Sequence, residues 1–131
     1  RVAQGFDRQR LALLLAVLEK RSGLSFGDRD VFVNVVGGLR LAETAADLAV
    51  LAAIASSALD RALPEDAVLI GEVGLSGEVR SVGQVERRLA EARRLGFGTA
   101  FVPARAVPKP TDGLQIVGVE RVNRLMEQLF R

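Results

Sequence analysis

The chain is 131 residues long, 49% hydrophobic and 26% charged, and it contains no Cys, His, Trp or Tyr. Those absences exclude disulfides, thiolate nucleophiles, Ser-His-Asp triads and zinc sites of the usual nitrogen and sulfur kind, leaving carboxylates, hydroxyls, Lys20 and Lys109 for chemistry. The net charge is +2 but unevenly spread, with +3 on residues 1–40, −5 on 41–80 and +4 on 81–131, and 16 Arg against 2 Lys; this permits a basic face for a polyanion and equally a solvated charged surface.

A helix is predicted over residues 7–22. Asp7 caps its first N–H groups, Phe6 and Leu11 form a hydrophobic staple, and Gly23 supplies the left-handed stop. Leu11, Leu14, Leu15 and Leu18 make its buried stripe. A strand follows over 31–36, where Val31, Val33 and Val35 alternate with Phe32, Asn34 and Val36, so that both faces read as largely buried; Gly37 and Gly38 then free the backbone for a tight turn. Thr44-Ala45-Ala46-Asp47 reads as a capping box opening a second, strongly apolar helix over 48–59 whose alanines keep its surface small. Residues 67–73 and 78–82 read as strands joined through Gly74-Leu75-Ser76-Gly77, a β-hairpin. A third helix runs over about 84–95 and stops at Gly96. A strand over 99–102 ends at Pro103, a Pro-rich loop passes Pro108 and Pro110, and a last strand over 115–119 leads into a helix over 120–130.

The order α, β, α, β, β, α, β, β, α carries no internal repeat and fits one α+β domain of mixed α/β layers over residues 1–131. No apolar run reaches the roughly 20 residues that span a bilayer, so no membrane partner is expected. Absence of Cys suits a cytoplasmic protein. The chain opens on Arg1 rather than Met and is read as part of something longer.

Several stretches together resemble the C-terminal Lon-protease-like domain of bacterial RadA (Sms) proteins, DNA recombination and repair ATPases. They are Asn34 to Arg40 (NVVGGLR), Glu43 to Ala49 (ETAADLA), Gly71 to Arg80 (GEVGLSGEVR), Glu91 to Phe97 (EARRLGF) and Val102-Pro103-Ala104, covering nearly the whole chain. The resemblance implies a Lon proteolytic-domain-like fold of the ribosomal protein S5 domain 2-like kind. In active Lon proteases a Ser at the start of the helix after the Gly-rich turn is the nucleophile, and a Lys at the start of the helix after the hairpin is its base. Carried over, those positions are Ala45 and Arg88. Ala has no nucleophile, and Arg, which stays protonated in proteins, cannot take the proton. Thr44 reads as an N-cap rather than a substitute nucleophile, and Glu43 and Asp47 are better accounted for at the helix end than as a catalytic pair. The resemblance thus implies a protease fold without protease chemistry.

It further implies a parent with a zinc motif and a RecA-like ATPase N-terminal to this region, binding ATP, Mg and zinc, acting in branch migration or helicase-like movement as a hexameric ring, and working with a recombinase. The 131 residues hold no Walker A sequence and no metal motif, so no cofactor or metal site is expected within them. The expected role is ring assembly together with double-stranded DNA binding through arginines. Arg87 and Arg94, seven residues apart, share one face of the third helix, with Arg88 and Arg93 flanking it; Arg40 follows the Gly-Gly turn; Arg8, Arg10 and Arg21 lie on the first helix; Arg105 and Lys109 lie in the Pro-rich loop. With Phe as the only aromatic, backbone contact fits better than base stacking. Glu91 lies within one turn of both Arg87 and Arg94, so a surface ion pair competes with a phosphate for each. The alternative role is a purely structural oligomerisation domain that never touches DNA.

Overall fold

A computed structural model describes residues 1–38, 40–110 and 112–130; Leu39 of the glycine-rich stretch lies outside them. The chain opens with β1 (Val2–Gln4), a strand too short to carry a pattern in the sequence. Helix α1 (Arg8–Ser22) then starts where the Asp7 carboxylate accepts the Arg10 backbone N–H, and it ends at Gly23, whose φ of 71° needs a residue without Cβ. Phe6 and Leu11 are both buried, as a staple requires, and Val17 joins the expected leucine stripe in the core.

β1 pairs in parallel with β2 (Phe32–Asn34), Val2 opposite Phe32 and Gln4 opposite Asn34. The strand is shorter than the 31–36 run, and burial on both faces is not found. Val31, Val33 and Val35 pack against the core, whereas Phe32 is 73% and Val36 86% exposed. No described element covers the outer face.

A 3-10 turn at Thr44–Ala46 precedes α2 (Asp47–Leu59). The expected capping box is absent, since neither Thr44 nor Asp47 caps the helix and Glu43 makes no side-chain cap bond. Gly71 replaces it. The Gly71 N–H donates to the Ala45 carbonyl at 2.9 Å, and the Leu48 N–H donates to the Gly71 carbonyl at 3.1 Å. This explains why the 67–73 run is two strands, β3 (Ala67–Leu69) and β4 (Glu72–Val73). The backbone between them serves the start of α2 and leaves one sheet for another.

β4 and β5 (Val79–Arg80) form the expected antiparallel hairpin, shorter than the 78–82 run, with Glu72 opposite Arg80. Helix α3 (Val85–Arg94) follows Gln84, which holds a positive φ of 60°. β6 (Thr99–Pro103) and β7 (Gln115–Val119) complete a parallel sheet of order β3-β6-β7, and α4 (Val122–Phe130) closes the described chain. Alternation along β6 divides the core. Phe101 faces the cluster built from α1, α2 and α4, whereas Ala100 and Val102 face Val85 and Leu89 of α3. Helices therefore sandwich the sheet in an α+β arrangement, and α3 presents its other face to solvent. No helix of the described residues is long and apolar enough to cross a membrane.

Candidate functional site

The 3-10 turn before α2 brings together more of the expected residues than any other place. Ala45 is buried there, its carbonyl bound by Gly71. Two residues earlier, Glu43 reaches α3. Its Oε2 accepts from Arg88 Nη2 at 2.6 Å, and Arg88 Nε donates to the Gly83 carbonyl at 3.0 Å. The base position is thus tied by an ion pair from α3 to Glu43, two residues before the nucleophile position. Glu43 is 68% exposed, so the pair contributes under about 1 kcal/mol. Neither position supplies a nucleophile or a base.

On the other side of the turn stands a different pair. The Asp47 side chain is fully buried at the start of α2. It accepts from Arg10 Nε at 3.4 Å, from Arg10 Nη2, and from the Val73 backbone N–H at 3.1 Å; Arg10 Nη2 also donates to the Val73 carbonyl at 3.1 Å. This corrects one expectation. Asp47 leaves the capping box because a guanidinium and a buried N–H of β4 offer its carboxylate stronger partners than the exposed backbone of its own helix. Arg10, expected among the DNA contacts, is engaged by Asp47 and Val73 in this fold.

The other expected contacts fall in separate places. On α3, Arg94 is held by Glu91 three residues before it, through Nε to Oε2 at 2.9 Å and a second bond from Nη2. The Arg94 guanidinium holds the Glu91 carboxyl below its ordinary value, and Glu91 in turn raises Arg94. Arg87 and Arg93 are exposed, and among the described residues neither makes an ion pair. Arg40, also exposed, lines a cavity of about 340 Å³ with Phe6, Arg10, Glu43 and Thr44. Arg8 and Arg21 are exposed on α1, and the Arg21 stem lies against the hairpin turn at Gly77. Arg105 and Lys109 are exposed in the Pro-rich region, where a 3-10 turn spans Ala104–Ala106.

Sequence reading missed two arginines beside Arg105. Arg80 and Arg121 line a cavity of about 340 Å³ with it, together with Glu78 and Glu120. Arg80 is already engaged by Glu78 and Glu72, and Arg121 donates to the Ser76 carbonyl. Glu78 is drawn below its ordinary value, first by its own backbone N–H and next by Arg80. Alternating charge on neighbouring strands was the only signal for this cluster. Among the described residues no three carboxylates gather as a metal site.

Residues 3–106 match the family described as subunit ChlI of Mg-chelatase. The chain is 53% identical over 124 residues to DNA repair protein RadA of Escherichia coli (strain K12), 94% of this chain and 27% of that protein. It is 50% identical over 131 residues to RadA of Pseudomonas aeruginosa and 48% identical over 130 residues to RadA of Aquifex aeolicus, in each case 99% of this chain and 29% of the relative. The chain spans a little over a quarter of the length of these relatives.

Proposed function

Starting from a chain that belongs to the family of subunit ChlI of Mg-chelatase, we propose that these 131 residues are the Lon-protease-like C-terminal domain of a longer, RadA-type DNA repair ATPase. The observation that carries the reading is identity of about half with RadA proteins over nearly the whole chain, joined to a site in which the nucleophile position is Ala45 and the base position is an ion-paired Arg88. The domain is a pseudo-protease in the cytoplasm that helps assemble a hexameric ring and holds double-stranded DNA by its phosphates. ATP, Mg and zinc belong to the part of the parent outside these residues, and a recombinase is a partner of the parent. The carboxylates among the described residues do not fit a metal, being scattered or engaged by arginines.

Of the ten expected contacts, Arg87 and Arg93 are the strongest. They lie on the solvent face of α3, which is anchored through Val85, Leu89 and Ala92, and no carboxylate among the described residues neutralises them. Arg40, Arg8, Arg21, Arg105 and Lys109 follow as exposed cations elsewhere, whereas Arg88 and Arg94 must first leave a glutamate. That last observation favours the second reading, a structural oligomerisation domain without DNA contact.

Duplex binding at several salt concentrations separates the two. Each phosphate neutralised contributes about −0.9 to the slope of log affinity against log salt, so replacing Arg87 and Arg93 by alanine is expected to flatten it by about 2. Absence of duplex binding at low salt, or an unchanged slope in the double variant, would leave the structural reading in place.

A further inference from the structure

The largest cavity among these, about 470 Å³, is a groove that the arginine positions do not use. One wall is the run Val31 to Val35; the other is the face of α2 that carries Ala49, Val50, Ala53 and Ile54. Charge is sparse in its lining, with Arg29 and Asp30 at one end of the β2 run.

The backbone of β2 explains what such a groove takes. β2 has one partner strand, β1. In that parallel ladder the Val31 carbonyl accepts from Val2 and the Val35 N–H donates to Gln4, so residues 31, 33 and 35 spend their backbone groups on β1. The N–H and C=O of Phe32 and Asn34 face the opposite edge, along which no described strand lies. An open edge flanked by exposed Phe32 and Val36 is a template for another strand, and natural edges are usually blunted by charge, bulges or proline. This one carries Phe-Val-Asn-Val-Val. The walls also match in length. Five residues of strand at about 3.3 Å span roughly 16 Å, and nine helical steps at about 1.5 Å from Ala49 to Ala58 span roughly 14 Å.

We propose that an extended segment of the longer polypeptide, from outside residues 1–131, occupies this groove as a strand hydrogen-bonded to the free edge of β2. This rests on the reading of the chain as one domain of a RadA-type protein, whose relatives hold more than two-thirds of their length outside the matched region. The occupant alternates, placing apolar residues toward Val50 and Ile54 and setting one beside Phe32. A second copy of the 131 residues is the other occupant, and the exchange measurement distinguishes it.

Amide hydrogen exchange on the longer polypeptide, without DNA, tests this directly. The Phe32 and Asn34 amides are expected to exchange at least about 100-fold more slowly there than in the 131-residue chain, and as slowly as Val35, which β1 protects in both. Fast exchange at Phe32 and Asn34 beside a protected Val35 in the longer polypeptide overturns the proposal, and that comparison stands even should the 131-residue chain not fold alone. Protection that the 131-residue chain gains by itself as its concentration rises assigns the groove to a second copy and also overturns it. The parent reading is tested separately by intact mass. A natural polypeptide of 14.0 kDa removes both, whereas fast Phe32 and Asn34 amides in a longer one remove the strand alone.

Discussion

Replacing Arg10 by methionine keeps most of the side-chain stem but leaves the Asp47 carboxylate buried with a single neutral donor, the Val73 N–H. Removing one partner of a buried ion pair costs about 3–5 kcal/mol. Because the Arg10 side chain is 26% exposed, the lower end applies, about 3 kcal/mol. A chain of this length has a stability on the order of 7–20 kcal/mol, so the variant still folds, with Tm lowered by about 10 °C. Urea unfolding of Arg10→Met, Asp47→Asn and the double variant measures it. The double variant is expected to be less destabilised than the sum of the singles by at least about 1 kcal/mol, since the stranded charge is gone. The reasoning fails if Arg10→Met stays within about 0.5 kcal/mol of the parent and instead reduces the salt dependence of DNA binding by about one phosphate. Arg10 would then be the surface contact that its place on α1 suggests.

Gly71→Ala puts a methyl group 3.0 Å from Val79 Cγ1 and 3.5 Å from Leu48 Cδ2, and the overpacking is expected to cost about 1–3 kcal/mol in thermal unfolding; a neutral result would show that the strand break tolerates a side chain. Glu78 has a folded pKa below its unfolded one, so its stabilisation is complete above the unfolded value of about 4.3 and is lost as pH falls through the folded value. Tm measured against pH is therefore expected to lose less on acidification in Glu78→Gln than in the parent, and superimposable profiles would refute the role assigned to the carboxylate. A fluorophosphonate probe is expected to leave the protein unlabelled. Labelling that disappears in Thr44→Ala would reveal a nucleophile beside Ala45 and end the pseudo-protease reading.

What could be read from the sequence was what is decided locally. Asp7 and Gly23 bound α1 with chemistry that lies within a turn of each, and Val85, Leu89 and Ala92 bury one face of α3 by spacing alone. The fate of Arg10 and Asp47 was not legible, because the partners lie 37 positions apart and Thr44 to Asp47 imitates a local motif. Strand β2 misled for a related reason. Valines on one face and Phe32 and Val36 on the other spell a strand covered on both sides, yet among the described residues only one side is covered. The dyad positions could be named only by resemblance, since an alanine and an arginine announce no chemistry of their own. The tie between Arg88 and Glu43 needed the structure.

Gly71 also sets how the molecule is divided. Between residues 1–59 and 67–130 the described backbone hydrogen bonds outside helices and strands are two, both made by Gly71, to Ala45 and from Leu48. Among the described residues no strand of one part pairs with a strand of the other. Each part keeps its own ladders, and α1 against α4, with Asp47 and Arg10 each bonded to Val73, supplies much of the remaining adhesion. The connection over 60–66 is mostly exposed. A cut there severs a tether rather than a sheet, so the two pieces form a natural pair for fragment complementation, with Gly71 as the latch that records whether they have come back together.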